Sequence, residues 1–487
     1  MSLISTADVC RLTGGHLLHG EHRPLGVVSI DSRTLKPGEA FLCLRGPHFD
    51  GHDYAEAAHE KGAAVIIVNR SGLGRVPPSV RQGHATIIAV PHTERALSLM
   101  ASATRARFQG LVVGITGSSG KTTTKEMVSA VLRSRDPEGV LATYGNHNNH
   151  LGVPLTLLRI EAHHEVAVVE MGTSAPGEIG RLAQLARPDI SVITAVGAAH
   201  LEELGSIAGV AREKGAIFDQ VHPEGLAVLA SAAPYPWLTT RYLRAALVTA
   251  GRRPGDHIQV LAPRYGVARH DTPAGARCEI RVDGEGRMPL KLQLPGLYNL
   301  DNAALAIAVG RHLGVSVPQA VRALATVTAP KLRGEIRPLT GGGRVLVDCY
   351  NANPQSMAAA IAAFEAMTRG GPRVLVLGDM LELGQGAEQA HREVGAAVAG
   401  LPGAPTLLTV GPLGAEIAAG ARTAGMNSVL SVVEVAEAAD ILRTRVRPGD
   451  SVLLKGSRGV ALEKVLPALE EIDSDARPRH ARETQRP

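Results

Sequence analysis

Along most of the chain, short apolar runs alternate with stretches in which apolar positions recur every three or four residues. The first pattern reads as buried strand and the second as amphipathic helix. Near the start the runs are VVSIDS, AFLCL, AAVIIV and ATIIAV, separated by turn-rich segments. From Leu111 the theme continues as LVVGIT, EVAVVEMG, ISVITAV, LAVLAS and AALVTA. CEIRVDGEGRMPLKLQLPG reads as a hairpin with Asp-Gly-Glu-Gly at its turn, and LDNAALAIAVGRHLG and VPQAVRALATV read as helices. Beyond Lys331 the strand-helix order returns in RVLVDCY, RVLVLGDM, TLLTVG, NSVLSV and SVLLKGS. Apolar, β-branched strands alternating with helices predict an α/β fold of mostly parallel sheets, with helices on both faces. The breaks in the pattern predict domains over residues 1–107, 108–330 and 331–472, with the polar, Pro/Arg-rich stretch 473–487 as a disordered tail.

Sheets of this kind collect ligands at the carboxyl ends of their strands. One such end carries GITGSSGKTTT, Gly114 to Thr124, between LVVGIT and a helix with Met127, Val128, Val131 and Leu132 on one face. The spacing is not the general Gly-x4-Gly-Lys-Ser/Thr, which would need a glycine at Ile115. A glycine turn opening a helix still suits phosphate, because backbone N–H groups and the helix dipole both favour an anion. Gly117, Ser118, Ser119, Gly120 and Thr123 would line that cradle, Lys121 would reach the β/γ-phosphates, and the Thr122 hydroxyl would bind Mg²⁺.

Other strand ends carry polar groups. Glu170 closes EVAVVE, where a carboxylate is placed either to hold Mg²⁺ or simply to face solvent. His200 closes AVGAAH, and Lys214 in GVAREKGAIF reads on pattern alone as a solvated helix lysine. TYGNHNNHLGVP offers Asn146, Asn148 and Asn149, as a recognition loop or a long turn. Asn299 and Asn302 in YNLDN lie one helical turn apart, so capping accounts for only one of them. DCYNANP, GDMLELG and KGSRG end three strands of the last segment, and Lys455 and Arg458 suit a carboxylate or phosphate.

Composition narrows the partners. The 487 residues are 45% hydrophobic, 20% charged and only 3% aromatic, so the cores must be aliphatic. A formal charge of +5 with no basic stripe or aromatic platform argues against nucleic acid and favours small anions. Four dispersed cysteines suit neither a disulfide framework nor a zinc cluster. No apolar run approaches the length of a membrane span, and the N-terminus lacks a signal-peptide pattern, so a cytoplasmic setting away from membranes is expected.

Together these motifs resemble the Mur ligase family, over nearly the whole chain except the tail. IDSRTLKPGEAFLCLRGPHFDGHDY, TYGNHNNHLGVPLTLL, AVVEMG, AAHLEELGSIAGVAREKGAIF, DCYNANPQSM, LGDMLELG and LLKGSRG carry the resemblance, and GSSGKTTT is similar to that family's shorter phosphate loop. The resemblance implies a UDP-precursor-binding first domain, a central ATPase and a Rossmann-like third domain for the incoming amine. It implies ATP, Mg²⁺ (two ions), and a monomeric enzyme joining D-alanyl-D-alanine to UDP-N-acetylmuramoyl-tripeptide. A sister ligase adding one amino acid to a shorter precursor is the alternative. By motif, Ser29, Asp31, Ser32 and Arg33, with Asn146, Asn148 and Asn149, would hold the UDP precursor. Glu170, His200 and a carbamylated Lys214 would join Thr122 as metal ligands. Asn299 and Asn302 would lie near adenine, Arg333 and Asp348 would bring the third domain to the ATP site, and Asn351, Asn353, Lys455 and Arg458 would face the amine. Catalysis would rest on Lys121, Glu170, His200, Lys214, Arg333 and Asp348. Tyr298 stands where several relatives have histidine.

Overall fold

The computed structural model describes residues 2–266, 275–339, 342–368 and 371–475. Its strands form three sheets. The first is five-stranded, in the order His16–His19, Thr86–Val90, Val65–Asn69, Ala40–Leu42, Val28–Ser29. His16–His19 is its one antiparallel member, and HLLH is too short and too polar at its ends to register as a strand in the sequence.

The central sheet runs Gly286–Lys291, Ala276–Val282, Ile258–Tyr265, Ala246–Gly251, Leu226–Ala230, Ile190–Ile193, Leu111–Thr116, Val166–Glu170, Val140–Ala142. Six parallel strands, from Ala246–Gly251 to Val140–Ala142, form its larger part, and Ile258–Tyr265 joins them to an antiparallel hairpin. The hairpin pairs Val282 with Gly286 across the expected Asp-Gly-Glu turn, where Gly284 and Gly286 take φ of 81° and 85°. Helices Lys121–Arg133 and Tyr298–His312 cover one face with Val128, Val131, Leu305 and Val309, all fully buried against Val113, Ile115 and Val192. Glu178–Ala186 and Ile207–Gly215 cover the other, in a core that runs on into the first domain through Leu97, Met100 and Phe108.

The third sheet is ordered Glu335–Pro338, Arg344–Asp348, Ser451–Lys455, Arg373–Gly378, Thr406–Val410, Val429–Val432. All but the first strand are parallel, and both faces are buried. The final helix, Leu466–Asp475, takes in the first three residues of the stretch expected as tail, and 476–487 lie outside the described residues. Among the described residues no helix is long and apolar enough to cross a membrane.

Candidate active site

The phosphate-loop segment is a tight turn from strand to helix. Gly117 takes φ 152°, and a Cβ there would lie 2.1 Å from Thr194 Oγ1. Gly120 takes φ 80° at the helix N-cap, and a Cβ there would lie 2.7 Å from Asn302 Oδ1. Gly117, off the usual spacing, and Gly120, on it, are therefore both glycines required by close approach. The loop is pinned from the neighbouring strand end: Thr194 Oγ1 donates to Ser119 O at 2.5 Å, and Ser118 N–H donates to Ala195 O at 2.9 Å.

This turn forms one wall of a cavity of about 660 Å³ between the central and third sheets. Ser118, Ser119, Gly120, Lys121, Thr123, Asn148, Asn149, His200, Asn302, Arg333, Asp348, Asn351, Asn353 and Lys455 all line it. Most of these residues lie at or just beyond strand ends of the two sheets, while Asn302 comes from helix Tyr298–His312 and Arg333 from the turn before Glu335–Pro338. A second cleft of about 760 Å³ lies near the amino ends of the central strands, around Arg105, Asp189 and His222, and contains none of the predicted site residues.

Glu170 is fully buried and fully engaged. Its Oε2 accepts from Thr122 Oγ1 at 2.9 Å and its Oε1 from Asn148 Nδ2 at 2.8 Å, while its N–H donates to Thr143 Oγ1 at 2.9 Å. Asn148, expected on the UDP precursor, therefore orients Glu170. Asn149 Oδ1 accepts from the N–H groups of Leu151 and Gly152, which ties it to the start of helix Gly152–Leu158, and exposed Asn146 lies off the cavity.

Three basic side chains, Lys121, Lys214 and Arg333, lie near the glycine turn. Lys121 Nζ donates to Gly117 O at 2.7 Å, and burial, with Arg333 nearby, lowers its pKa against the pull of Glu170. Lys214, which patterning would place in solvent, is fully buried and its Nζ has no hydrogen-bond partner. Burial, reinforced by Lys121, drives its pKa well below 10.5, with Glu213 and Glu178 opposing. The cause of its burial is that helix Ile207–Gly215 packs into the sheet core through Val210 and Ala211, with Lys214 also on the buried surface. Arg333 stacks on Tyr350 with its guanidinium carbon 3.7 Å from the ring centroid. His200 has its pKa lowered by burial, with Glu382 opposing and Lys214 and Lys121 reinforcing.

Asn299 and Asn302 bond to each other, Nδ2 of Asn302 to Oδ1 of Asn299 at 3.0 Å, and Asn299 Nδ2 donates to Pro295 O at 2.6 Å. Tyr298 lines the cavity beside them, and burial, aided by Asp348, raises its pKa. Sequence reasoning missed the adjoining pair Arg252–Asp301, bonded at 3.0 and 2.8 Å, since neither residue belongs to a recognisable spacing.

In the third domain the two cations expected on the amine are already paired. Lys455 is buried, 3.0 Å from Asp348 Oδ2 and donating to Asn351 O at 2.6 Å. Its position follows from register, since Asp348 sits opposite Lys455 on adjacent parallel strands. Arg458 is exposed, pairs with Glu463 and does not line the cavity. Asn353 Oδ1 accepts from Ser356 N–H at 2.8 Å at the entry to helix Pro354–Thr368. Ser29, Asp31, Ser32 and Arg33 form a separate turn in the first domain: Arg33 grips the Asp31 carboxylate at 2.9 and 2.8 Å and thereby lowers its pKa.

A nucleoside triphosphate with Mg²⁺ fits the phosphate end on chemical grounds. Thr122 and Glu170 supply hard oxygens, and the orphaned Lys214 amine is a buried polar atom in want of a partner. Among the described residues no cluster of three or more His, Cys, Asp or Glu side chains forms. Mg²⁺ bound through substrate phosphates needs only one or two protein carboxylates.

Comparison with known proteins agrees across the chain. The Mur ligase family catalytic domain matches residues 25–105, the Mur ligase middle domain 115–310, and the Mur ligase glutamate ligase domain 333–458. The chain is 35% identical over 445 residues to the UDP-N-acetylmuramoyl-tripeptide--D-alanyl-D-alanine ligase of Bacillus subtilis, covering 91% of this chain and 93% of the relative. Its fold is similar to MurF of Acinetobacter baumannii, with TM-score 0.81 and 28% identity, over 97% of this chain and 100% of that one. A MurF ligase of Thermotoga maritima in complex with ADP gives TM-score 0.76 and 28% identity, over 93% and 99% of the two chains.

Proposed function

The chain belongs to the Mur ligase family, and on that premise we propose that it is the ATP-dependent, ADP-forming ligase that joins D-alanyl-D-alanine to UDP-N-acetylmuramoyl-tripeptide in peptidoglycan synthesis. The observation that carries the reading is the single cavity in which a phosphate loop from the central sheet faces polar strand ends of the third sheet. An ATP enzyme that only hydrolyses has no need of the second set.

In this reaction a carboxylate oxygen of the tripeptide attacks the γ-phosphorus of ATP and ADP leaves. The dipeptide amine then attacks the resulting acyl phosphate. The tetrahedral intermediate collapses, phosphate departs with the bonding electron pair, and the nitrogen loses its proton. The loop N–H groups and Lys121 hold the phosphates in line, and Arg333, kept flat by Tyr350, stands over the charge that develops in transfer. Asn299 and Asn302 hold the helix start against Gly120 and so fix the loop. Closure of this cavity around bound substrates would keep water from the acyl phosphate.

Thr122, Glu170 and His200 would hold Mg²⁺, which neutralises phosphate charge when bound. Lys214 is read as the site of carbamylation, in which its neutral amine adds to CO₂ and loses a proton. The lowered pKa supplies that neutral amine, and no hydrogen bond has to be broken to modify it. Asn351 and Tyr350 remain to meet the dipeptide. The first domain, with its Ser29–Arg33 turn, is read as the UDP end. The protein is expected to work as a monomer in the cytoplasm.

The test is phosphate release with ATP, Mg²⁺ and UDP-N-acetylmuramoyl-tripeptide, with and without D-alanyl-D-alanine or each free amino acid. Release that requires both the tripeptide nucleotide and the dipeptide is expected. Release with one amino acid and a shorter nucleotide would transfer the chain to a sister ligase, and turnover indifferent to every amine would overturn the ligase reading.

A further inference from the structure

His200 Nδ1 lies 2.6 Å from Glu382 Oε2, across the boundary between the central and third sheets. His200 follows strand Ile190–Ile193, and Glu382 follows strand Arg373–Gly378. Among the described residues no other group is placed to accept from this ring nitrogen, so the Glu382 carboxylate is its one partner. Both residues hold left-handed backbones, φ 53° for His200 and 64° for Glu382. Positive φ is uncommon outside glycine, for glutamate more so than for histidine, and such strain gathers at functional sites. The two loops also touch through their backbones: Glu202 N–H lies 3.5 Å from Glu382 O, and a Cβ on Gly384 would lie 3.3 Å from Glu202 Cα.

The His200 side chain is 18% exposed and lines the cavity, whereas Glu382 is 56% exposed and does not. With Nδ1 beside the carboxylate, Nε2 is the nitrogen left for a ligand. A metal-binding imidazole is commonly fixed by a carboxylate on its second nitrogen, and losing that carboxylate weakens metal binding about 10–100-fold. Here the carboxylate comes from a different domain. We propose that Glu382 is a positioning residue, delivered by the third domain, that sets the ring of His200 for a divalent cation at the phosphate end. Cation binding and docking of the third domain are then coupled, and the coupling is reciprocal. This rests on the reading of His200 as a cation ligand.

The test measures Mn²⁺ binding to the protein–ADP complex by electron paramagnetic resonance, alongside a spin-label distance between the central and third domains. Glu382→Ala should weaken Mn²⁺ binding about 10–100-fold and abolish the Mn²⁺-induced change in distance. Glu382→Gln, whose carbonyl oxygen accepts the same N–H, should recover most of both. In a His200→Ala background, Glu382→Ala should add nothing further. Unchanged Mn²⁺ binding in Glu382→Ala, or an equal loss in the His200→Ala background, overturns the proposal. A wild-type protein that binds Mn²⁺ in this Glu382-dependent way but releases no phosphate with the tripeptide nucleotide and dipeptide would leave the coupling standing and remove the ligase reading.

Discussion

Thr122 Oγ1 donates to Glu170 Oε2 over 2.9 Å, so the phosphate loop and the neighbouring strand end are joined through the two oxygens best placed for a cation. Asn148 holds the other carboxylate oxygen at 2.8 Å. Glu170→Gln keeps both contacts, since its amide oxygen accepts from Asn148 and its amide nitrogen donates to the Thr122 hydroxyl. The melting temperature should move by only a few degrees. Phosphate release should nevertheless fall by about 10²–10³-fold, because the charge is gone. Glu170→Ala should additionally cost about 1–3 kcal/mol, since it strands two buried polar groups. Equal stability of the two variants in urea titration would contradict this account.

Lys214 is a buried amine without a partner, and its removal should not cost stability. Lys214→Met, of similar length and apolar, is expected to match or exceed the wild type in melting temperature while losing phosphate release. Wild-type activity should drop in CO₂-free buffer and return with bicarbonate, and Lys214→Met should respond to neither. A wild type indifferent to CO₂ would mean that the amine stays unmodified.

How far the sequence discloses this site depends on what each residue's role rests on. The alternation of apolar runs suffices for an α/β fold of mostly parallel sheets, and the glycine turn before Lys121 for a strand-to-helix loop whose shape suits an anion. Lys214 is illegible by itself, because a helix lysine is usually solvated and only packing against the sheet buries it. The pairing of Lys455 with Asp348 depends on register between strands more than a hundred residues apart, which no local pattern encodes. The spacing in TYGNHNNHLGVP marks Asn148 for a ligand loop, and only the fold shows that it also bonds Glu170. Glu382 belongs to the strand end GDMLELG, yet its partner His200 sits in the central domain, beyond any local pattern.

Gly117→Ala tests the phosphate loop. Its Cβ would press on Thr194 Oγ1, and φ 152° is itself unfavourable for alanine. Displacing Thr194 also breaks its bond to Ser119 O, so the loop loses its pin. The KM for ATP should rise roughly 10-fold or more, with the global unfolding transition little changed. Adding Thr194→Ala should recover part of the loss, and no recovery would place the defect in the backbone strain alone.

Lys455→Met leaves the Asp348 carboxylate, itself only 16% exposed, without its cation. Breaking a buried pair from one side is expected to cost about 3–5 kcal/mol in denaturant titration. The double variant Asp348→Asn, Lys455→Met should be clearly more stable than Lys455→Met alone, since no uncompensated charge remains. A single variant as stable as the wild type would mean that Lys455 is held for substrate and not for the fold.

The first domain supplies a pH test that is independent of catalysis. Asp8, at the start of helix Thr6–Thr13, accepts from Arg107 at 2.7 and 2.6 Å and from Ser5 N–H at 2.9 Å. The Arg107 guanidinium holds its carboxyl far below the usual range, with Ser5 and Arg11 contributing and burial opposing. The unfolded chain, whose aspartates titrate near the ordinary value of about 3.9, therefore binds more protons than the folded one at mildly acid pH. Stability from this group is fully present above that value and drains away as pH falls toward the depressed folded value. Asp8→Asn should cost roughly 1–2 kcal/mol at pH 7, a figure kept modest by the partly exposed setting. The gap to the wild type should narrow steadily below about pH 4 in urea titrations. Wild-type and variant curves that stay parallel down to strongly acid pH would show that Asp8 acts only as a helix cap and not through its charge.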